Sequence, residues 1–300
     1  MQIHFKIYFT FFICLLIQTT KGLAQTSTDL WVMDVEGKGG KIKLLPATAK
    51  PLTNRPEYDN QPSFINDSEL IFSAADAKGN NDLILYSFRT QKFTNLTQTP
   101  DRSEFSPSLT ECGSYFSAIV VEPDGTQRLW LYPITGEAPE LLYDDIFPVG
   151  YYDFYDGKAA LFVLGDPNTL VYVRGKGMVD TLDTDIGRTV RKRPTTPEIS
   201  YLDRKNSKET SQGKAFGIST VNLKTGLKKE YGYAIPGSQE FIWLDKNHLL
   251  MAKGNEVFTK HIQERDWHSL GKIESSSHQG ITRLAYSPEL NKIILVLNRK

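Results

Sequence analysis

The chain has 300 residues, 40% of them hydrophobic, with 35 basic and 35 acidic side chains and therefore no formal net charge. That balance excludes the basic field that nucleic acid or an anionic membrane surface requires. With only two cysteines, Cys14 and Cys112, a disulfide-stapled scaffold is excluded as well, and the fold must be held by burial.

The chain opens with Lys6 in a short polar start, an apolar run from Ile7 to Ile17, and Thr19-Thr20-Lys21-Gly22-Leu23-Ala24 before Gln25. This is the layout of a secretory signal peptide, and the run is about half of the ~20 residues a spanning helix needs. Cleavage after Ala24 is expected, giving a secreted or periplasmic protein with no integral membrane segment. Cys14 lies inside the apolar run rather than at its end, which argues against a lipoprotein. Residues 1–24 hold two basic side chains and no acid, so the processed chain carries a charge near −2 and a single cysteine, Cys112.

Residues 25–300 read as one domain. Asp29–Val35 and Lys41–Leu45 are predicted strands around a Gly37–Gly40 turn. Leu52-Thr53, with Pro56 three places on and Pro62-Ser63 ending the stretch, recurs as Leu96-Thr97, Pro100 and Pro107-Ser108, with 45 residues from Pro62 to Pro107. The first copy continues as predicted strands Glu69–Ser73, Asp82–Phe88 and Lys92–Thr97. The second gives Ser114–Val121, Arg128–Pro133 and Glu140–Tyr143. A unit of ~40–50 residues with four short strands between turn residues is the signature of a propeller blade.

The same grammar predicts a third unit (Val149–Tyr155, Ala159–Leu164, Thr169–Arg174, Met178–Leu182). A fourth follows (Arg188–Arg193, Glu198–Leu202, Ala215–Leu223, Lys228–Tyr233), with the polar insertion Asp203–Gly213 as an exposed loop. The fifth is Glu240–Leu244, His248–Ala252, Glu256–His261 and Trp267–Gly271. Only Ile281–Ser287 and Lys292–Leu297 remain, two strands of a sixth unit, and the N-terminal pair supplies the other two. The expected fold is all-β: a six-bladed β-propeller of four-stranded blades whose N- and C-terminal strands share one closing blade.

These residues resemble TolB-like propellers, whose blades read Leu-Thr, a gap, Pro-Ser-Phe-Ser-Pro-Asp-Gly, an apolar strand, then Asp-Leu-Trp or similar. The matches are Leu52-Thr53, Pro62-Ser63-Phe64, Leu70–Phe72, Asp82-Leu83 and Leu96-Thr97, with Asp29-Leu30-Trp31 and Ser287-Pro288 in the shared blade. Asn66-Asp67 and Glu111-Cys112-Gly113 stand where the family has Pro-Asp-Gly. The chain is also similar to a group of exported bacterial TolB-like proteins with PVGY (Pro148), FVLGDPNTL (Phe162) and DIGR (Asp185). The resemblance implies a protein-binding platform of the cell envelope, with peptidase fusions and metal-dependent lyases as the family's other uses. It brings no catalytic residues with it.

Motifs for chemistry are sparse. There is no Gly-x-Ser-x-Gly elbow, phosphate loop or His-Glu-x-x-His pair. His261, Glu264, Asp266 and His268 are the nearest thing to a metal cluster, with His261 and His268 as its weak candidate ligands, but a solvated hairpin accounts for them. The acidic pairs Asp144-Asp145 and Asp183/Asp185 read as turn residues. Nothing around Cys112 is expected to lower its pKa. Of the aromatics Tyr151, Tyr152, Phe154 and Tyr155, half are expected between blades and half elsewhere. No cofactor is expected.

Function is therefore sought at the channel mouth, where the segments leading into the first strands carry Tyr58, Asp59, Gln61, Glu104, Tyr151, Asp185, Arg188, Glu240 and Arg283. That mixture suits a small polar ligand or an envelope or periplasmic protein segment. The expected role is a non-catalytic binding scaffold. The alternative is a metal-dependent lyase or hydrolase acting on an exported polysaccharide.

Overall fold

In the computed structural model, residues 26–300 are described; the expected leader, residues 1–24, lies outside them. Six sheets of antiparallel strands form a β-propeller. Blade 1 runs Asp59–Phe64, Glu69–Ala75, Asn81–Ser87 and Lys92–Asn95; blade 2 is Ser103–Leu109, Tyr115–Val121, Gln127–Pro133 and Glu140–Leu141. Blade 3 is Val149–Tyr155, Lys158–Val163, Thr169–Gly175 and Met178–Thr184; blade 4 is Ile186–Lys192, Glu198–Thr210, Gly213–Asn222 and Lys228–Tyr233. Blade 5 is Phe241–Trp243, His248–Lys253, Glu256–His261 and His268–Lys272.

Blade 6 is shared. Its inner strands are His278–Ser287 and Lys292–Arg299, and the latter pairs antiparallel with N-terminal Thr28–Glu36, Thr28 opposite Asn298 and Asp34 opposite Lys292. Two short pieces, Lys43–Leu44 and Lys50–Pro51, pair with that N-terminal strand and together replace a continuous fourth strand. Asp29 rivets the junction. Its buried carboxylate accepts from His278 Nε2 (2.7 Å), Thr53 Oγ1 (3.2 Å) and the Arg55 N–H (3.1 Å), with Arg299 Nη1 at 3.3 Å.

Because both faces of every blade meet a neighbour, the core is six inter-blade layers rather than one centre. Along Thr28–Glu36 the period of two sends Trp31, Met33 and Val35 toward blade 5 and Leu30 and Val32 toward blade 1. Tyr152 and Phe154 fill the layer between blades 2 and 3, and Tyr151 and Tyr155 lie against the layer between blades 3 and 4. The expectation that half of these aromatics face elsewhere is therefore corrected: a strand enclosed on both sides has no other face.

The repeated Leu-Thr has a structural role. Thr53 Oγ1 accepts the Leu30 N–H (3.0 Å) and donates to Asp29; Thr97 Oγ1 accepts the Leu83 N–H (3.0 Å) and lies 3.3 Å from Asp82 Oδ1. The next N–H but one, of Arg55 or Thr99, then reaches the same carboxylate oxygen. Each Leu-Thr thus staples the crossover to the Asp-Leu of the preceding third strand.

Two local readings change. Asp203–Gly213 is no loop: the second and third strands of blade 4 extend into it as a ribbon, pairing Ser207 with Phe216 and Thr210 with Gly213 beyond a bulge. Its residues are polar on both faces, so no alternation marked it. The Gly37–Gly40 turn contains a short 3-10 turn, Gly39–Lys41, that docks on blade 5. A Cβ on Gly40 would fall on the His248 ring, and one on Gly39 on the Asp245 carboxylate.

Candidate functional site

The inner strands are bulged, and the bulges shape the channel. In blades 1 and 2 the ladder is interrupted at Gln61-Pro62 and Ser106-Pro107, because proline has no N–H to donate. Gln61 and Ser106 adopt φ of 57° and 52°, and the Ser106 N–H donates to Gln61 Oε1 at 2.7 Å, tying bulge to bulge. In blade 4 the register breaks between Ile186 and Val190, and both Arg188 and Arg191 then reach the channel.

The mouth gathers Gln61, Ser106, Tyr151, Arg188, Glu240 and Arg283. Glu240 is clamped: Oε2 accepts from Arg283 Nη1 (2.7 Å) and Oε1 from Arg191 Nη2 (3.0 Å). Arg283, buried, also donates to Tyr151 Oη (3.2 Å), with its guanidinium 5.5 Å from that ring's centroid. Burial pushes the Tyr58 hydroxyl up to about 12, against the pull of Arg283 and Arg188, so it stays a donor at neutral pH. Arg188 is different. Its Nε is buried without a hydrogen-bond partner, and no ion pair reaches the side chain among the described residues; the buried Ser106 Oγ on the same wall also lacks a partner.

Five of the nine residues expected at the mouth meet there: Gln61, Tyr151, Arg188, Glu240 and Arg283, with Tyr58 beside them. Asp59, Glu104 and Asp185 do not. Asp59 is fully buried and forked by Arg55 (Nε 2.9 Å, Nη2 2.5 Å). Glu104 is sealed between blades 1 and 2 by Thr97, Thr99 and Tyr132, and Asp185 lies 3.4 Å from Arg204 on the blade 4 ribbon. Asp59 and Glu104 each stand two residues before a bulged position, and the bulge puts the two positions on opposite sides of the strand. Arg191 and Ser106 were missed for the same reason: strict alternation does not survive a bulge.

His261 and His268 lie on adjacent strands of the blade 5 hairpin. The hairpin sets His268 opposite Thr259 and His261 opposite His248, while Glu264 accepts the His261 N–H (3.3 Å) and lies 3.3 Å from His268 Nε2. Among the described residues no group of three or more His, Cys, Asp or Glu side chains is placed to hold a metal ion. Cys112 is corrected in one respect. Its exposed thiol is pulled below the ordinary value by the Thr110 hydroxyl, 3.3 Å away, helped by Ser114.

No family model matches the chain, and no curated protein matches it in sequence. Solved structures do match. A TolB of Agrobacterium tumefaciens superposes with a TM-score of 0.64 at 11% identity, over 92% of this chain and 100% of that one. The fold is TolB-like. TolB of Acinetobacter baumannii gives 0.54 at 11% identity over 90% of this chain, which spans 64% of its length. A chain of the nidogen/laminin complex gives 0.58 at 12% identity, over 82% of this chain and 94% of that one. At such identities the TolB-like propeller is established as a scaffold, and its use has to be argued from the mouth's own side chains. Among the described residues no helix is long and apolar enough to cross a membrane.

Proposed function

We propose that this chain is an exported propeller of the cell envelope that binds, without turnover, a polar protein segment or small polar ligand at its channel mouth. The observation that carries the reading is the contrast at the mouth between committed acid and uncommitted donors. Both oxygens of Glu240 are engaged by guanidinium groups, whereas Arg188 and Ser106, which line the same cavity, each hold a buried polar atom without a partner, Nε and Oγ. Cleaving a polysaccharide by acid-base chemistry needs a carboxylate with an oxygen open to the substrate's proton. Recognition needs fixed donors waiting for an acceptor. Export rests on Lys6, the Ile7–Ile17 run and Ala24.

The test is a photo-crosslinking amino acid placed in vivo at Gln61, and as a control at exposed Phe93 on the outer strand of blade 1. Adducts specific to Gln61 in the envelope fraction, on a protein beginning at Gln25, are expected. Adducts only from Phe93, or a protein that keeps residues 1–24 and stays in the cytoplasm, would sink the reading.

A further inference from the structure

The mouth consists of two chambers with a shared wall. A recess of about 50 Å³ is lined by Gln61, Ser106, Tyr151, Arg188 and Arg283, and a wider chamber of about 290 Å³ by Gln212, Ser238, Gln239, Lys253 and Thr282. Arg188, Glu240, Arg283 and Leu284 belong to both. The recess has room for a few water-sized groups, the size of one planar headgroup, and the chamber has room for the body that carries it.

Charge selects the headgroup. Arg188, Arg191 and Arg283 face a single carboxylate, Glu240, so the recess carries an excess of positive charge. Glu240 bonds two of the three guanidiniums but supplies a single negative charge, and Arg188 has no ion pair among the described residues. A guanidinium with a buried, unpartnered Nε and no ion pair carries an electrostatic cost that an anion beside it relieves. We propose that Arg188 forms a carboxylate-binding subsite, in which its guanidinium fork takes the ligand's carboxylate, while the remainder of a small ligand or chain end occupies the wider chamber. The planar fork of arginine matches the two oxygens of a carboxylate.

The subsite rests on the reading of the mouth as a binding site, and its test separates the two. Calorimetry on the purified protein would compare N-acetyl-dialanine with its C-terminal amide, glutarate and inorganic phosphate. The acids bind and the amide does not; Arg188→Gln weakens the acids tenfold or more and Arg188→Lys by less. Because Arg188 has no partner to lose, Arg188→Gln melts no lower than the wild type, so the loss is not unfolding. Tighter binding of the dipeptide than of glutarate assigns the carboxylate to a peptide end, and the reverse to a free acid; either supports the subsite. Equal binding of acid and amide, acid binding untouched by Arg188→Gln, phosphate binding tighter than the acids, or no acid binding at tens of millimolar overturns it. In each of these cases Gln61 crosslinks would still stand, leaving a binding mouth that selects for something other than a carboxylate.

Discussion

Glu104 shows how a single buried side chain ties stability to pH. It has no exposed surface, its carboxyl accepts from Thr99 Oγ1 (2.6 Å), Thr97 Oγ1 (3.1 Å) and Tyr132 Oη (3.2 Å), and burial outweighs those bonds, pushing its pKa from 4.5 up to about 7. Between these two values the unfolded chain releases this proton while the native joint keeps it. The native state therefore binds more protons, and stability falls as pH rises from about 4.5 to about 7, levelling off above. Glu104→Gln removes that fall. Melting curves at stepped pH should show the variant gaining on the wild type through this window by roughly 2–6 °C, and a difference independent of pH would exclude Glu104 as the source. Asp59, 45 residues earlier, has the same burial but the Arg55 guanidinium as its main partner, so the two copies of one motif solve one problem with different chemistry.

At the scale of elements, the Gly39–Lys41 turn is a lock between blades. Gly39 (φ 54°) and Gly40 lie against Asp245 and His248, which are themselves joined through His248 Nδ1 at 2.9 Å. Gly40→Ala should cost about 1–3 kcal/mol in urea unfolding, and most of that penalty should vanish in a His248→Ala background; an equal penalty in both backgrounds would show that the ring is not what the methyl group meets. The sequence reads as a hairpin turn here, since spacing reports the turn but not what packs on it. Elsewhere elements are legible: Lys228–Tyr233 and Glu256–His261 have the predicted limits, as does Val149–Tyr155, which is bounded by Pro148 and by Asp156-Gly157. The blade 4 ribbon was illegible, being held by backbone pairing with polar side chains on both faces. At the mouth, composition identified the right strands, but bulges decided which side chains turn inward. That is why Arg188 was legible and Arg191 was not.

Over the whole molecule, the ring of six layers is closed by strands from the two ends, and the Arg299 N–H donates to the Ser27 carbonyl at 3.1 Å. A permutant that joins Lys300 to Thr26 through a short flexible linker and opens the exposed Asp124-Gly125 turn should fold and melt within a few degrees of the parent. Deleting Lys292–Arg299 instead strips the partner from Thr28–Glu36 and should abolish the cooperative transition; retention of that transition, followed by circular dichroism, would show that the ring does not need its shared blade. The shared blade also sets an order in time. Thr28–Glu36 emerges from the ribosome early and its partner late, a wait on the order of tens of seconds at ~5–20 residues per second. Throughout that interval the nascent chain can build blades but cannot seal them into a ring. The arrival of one C-terminal strand therefore decides when the ring closes.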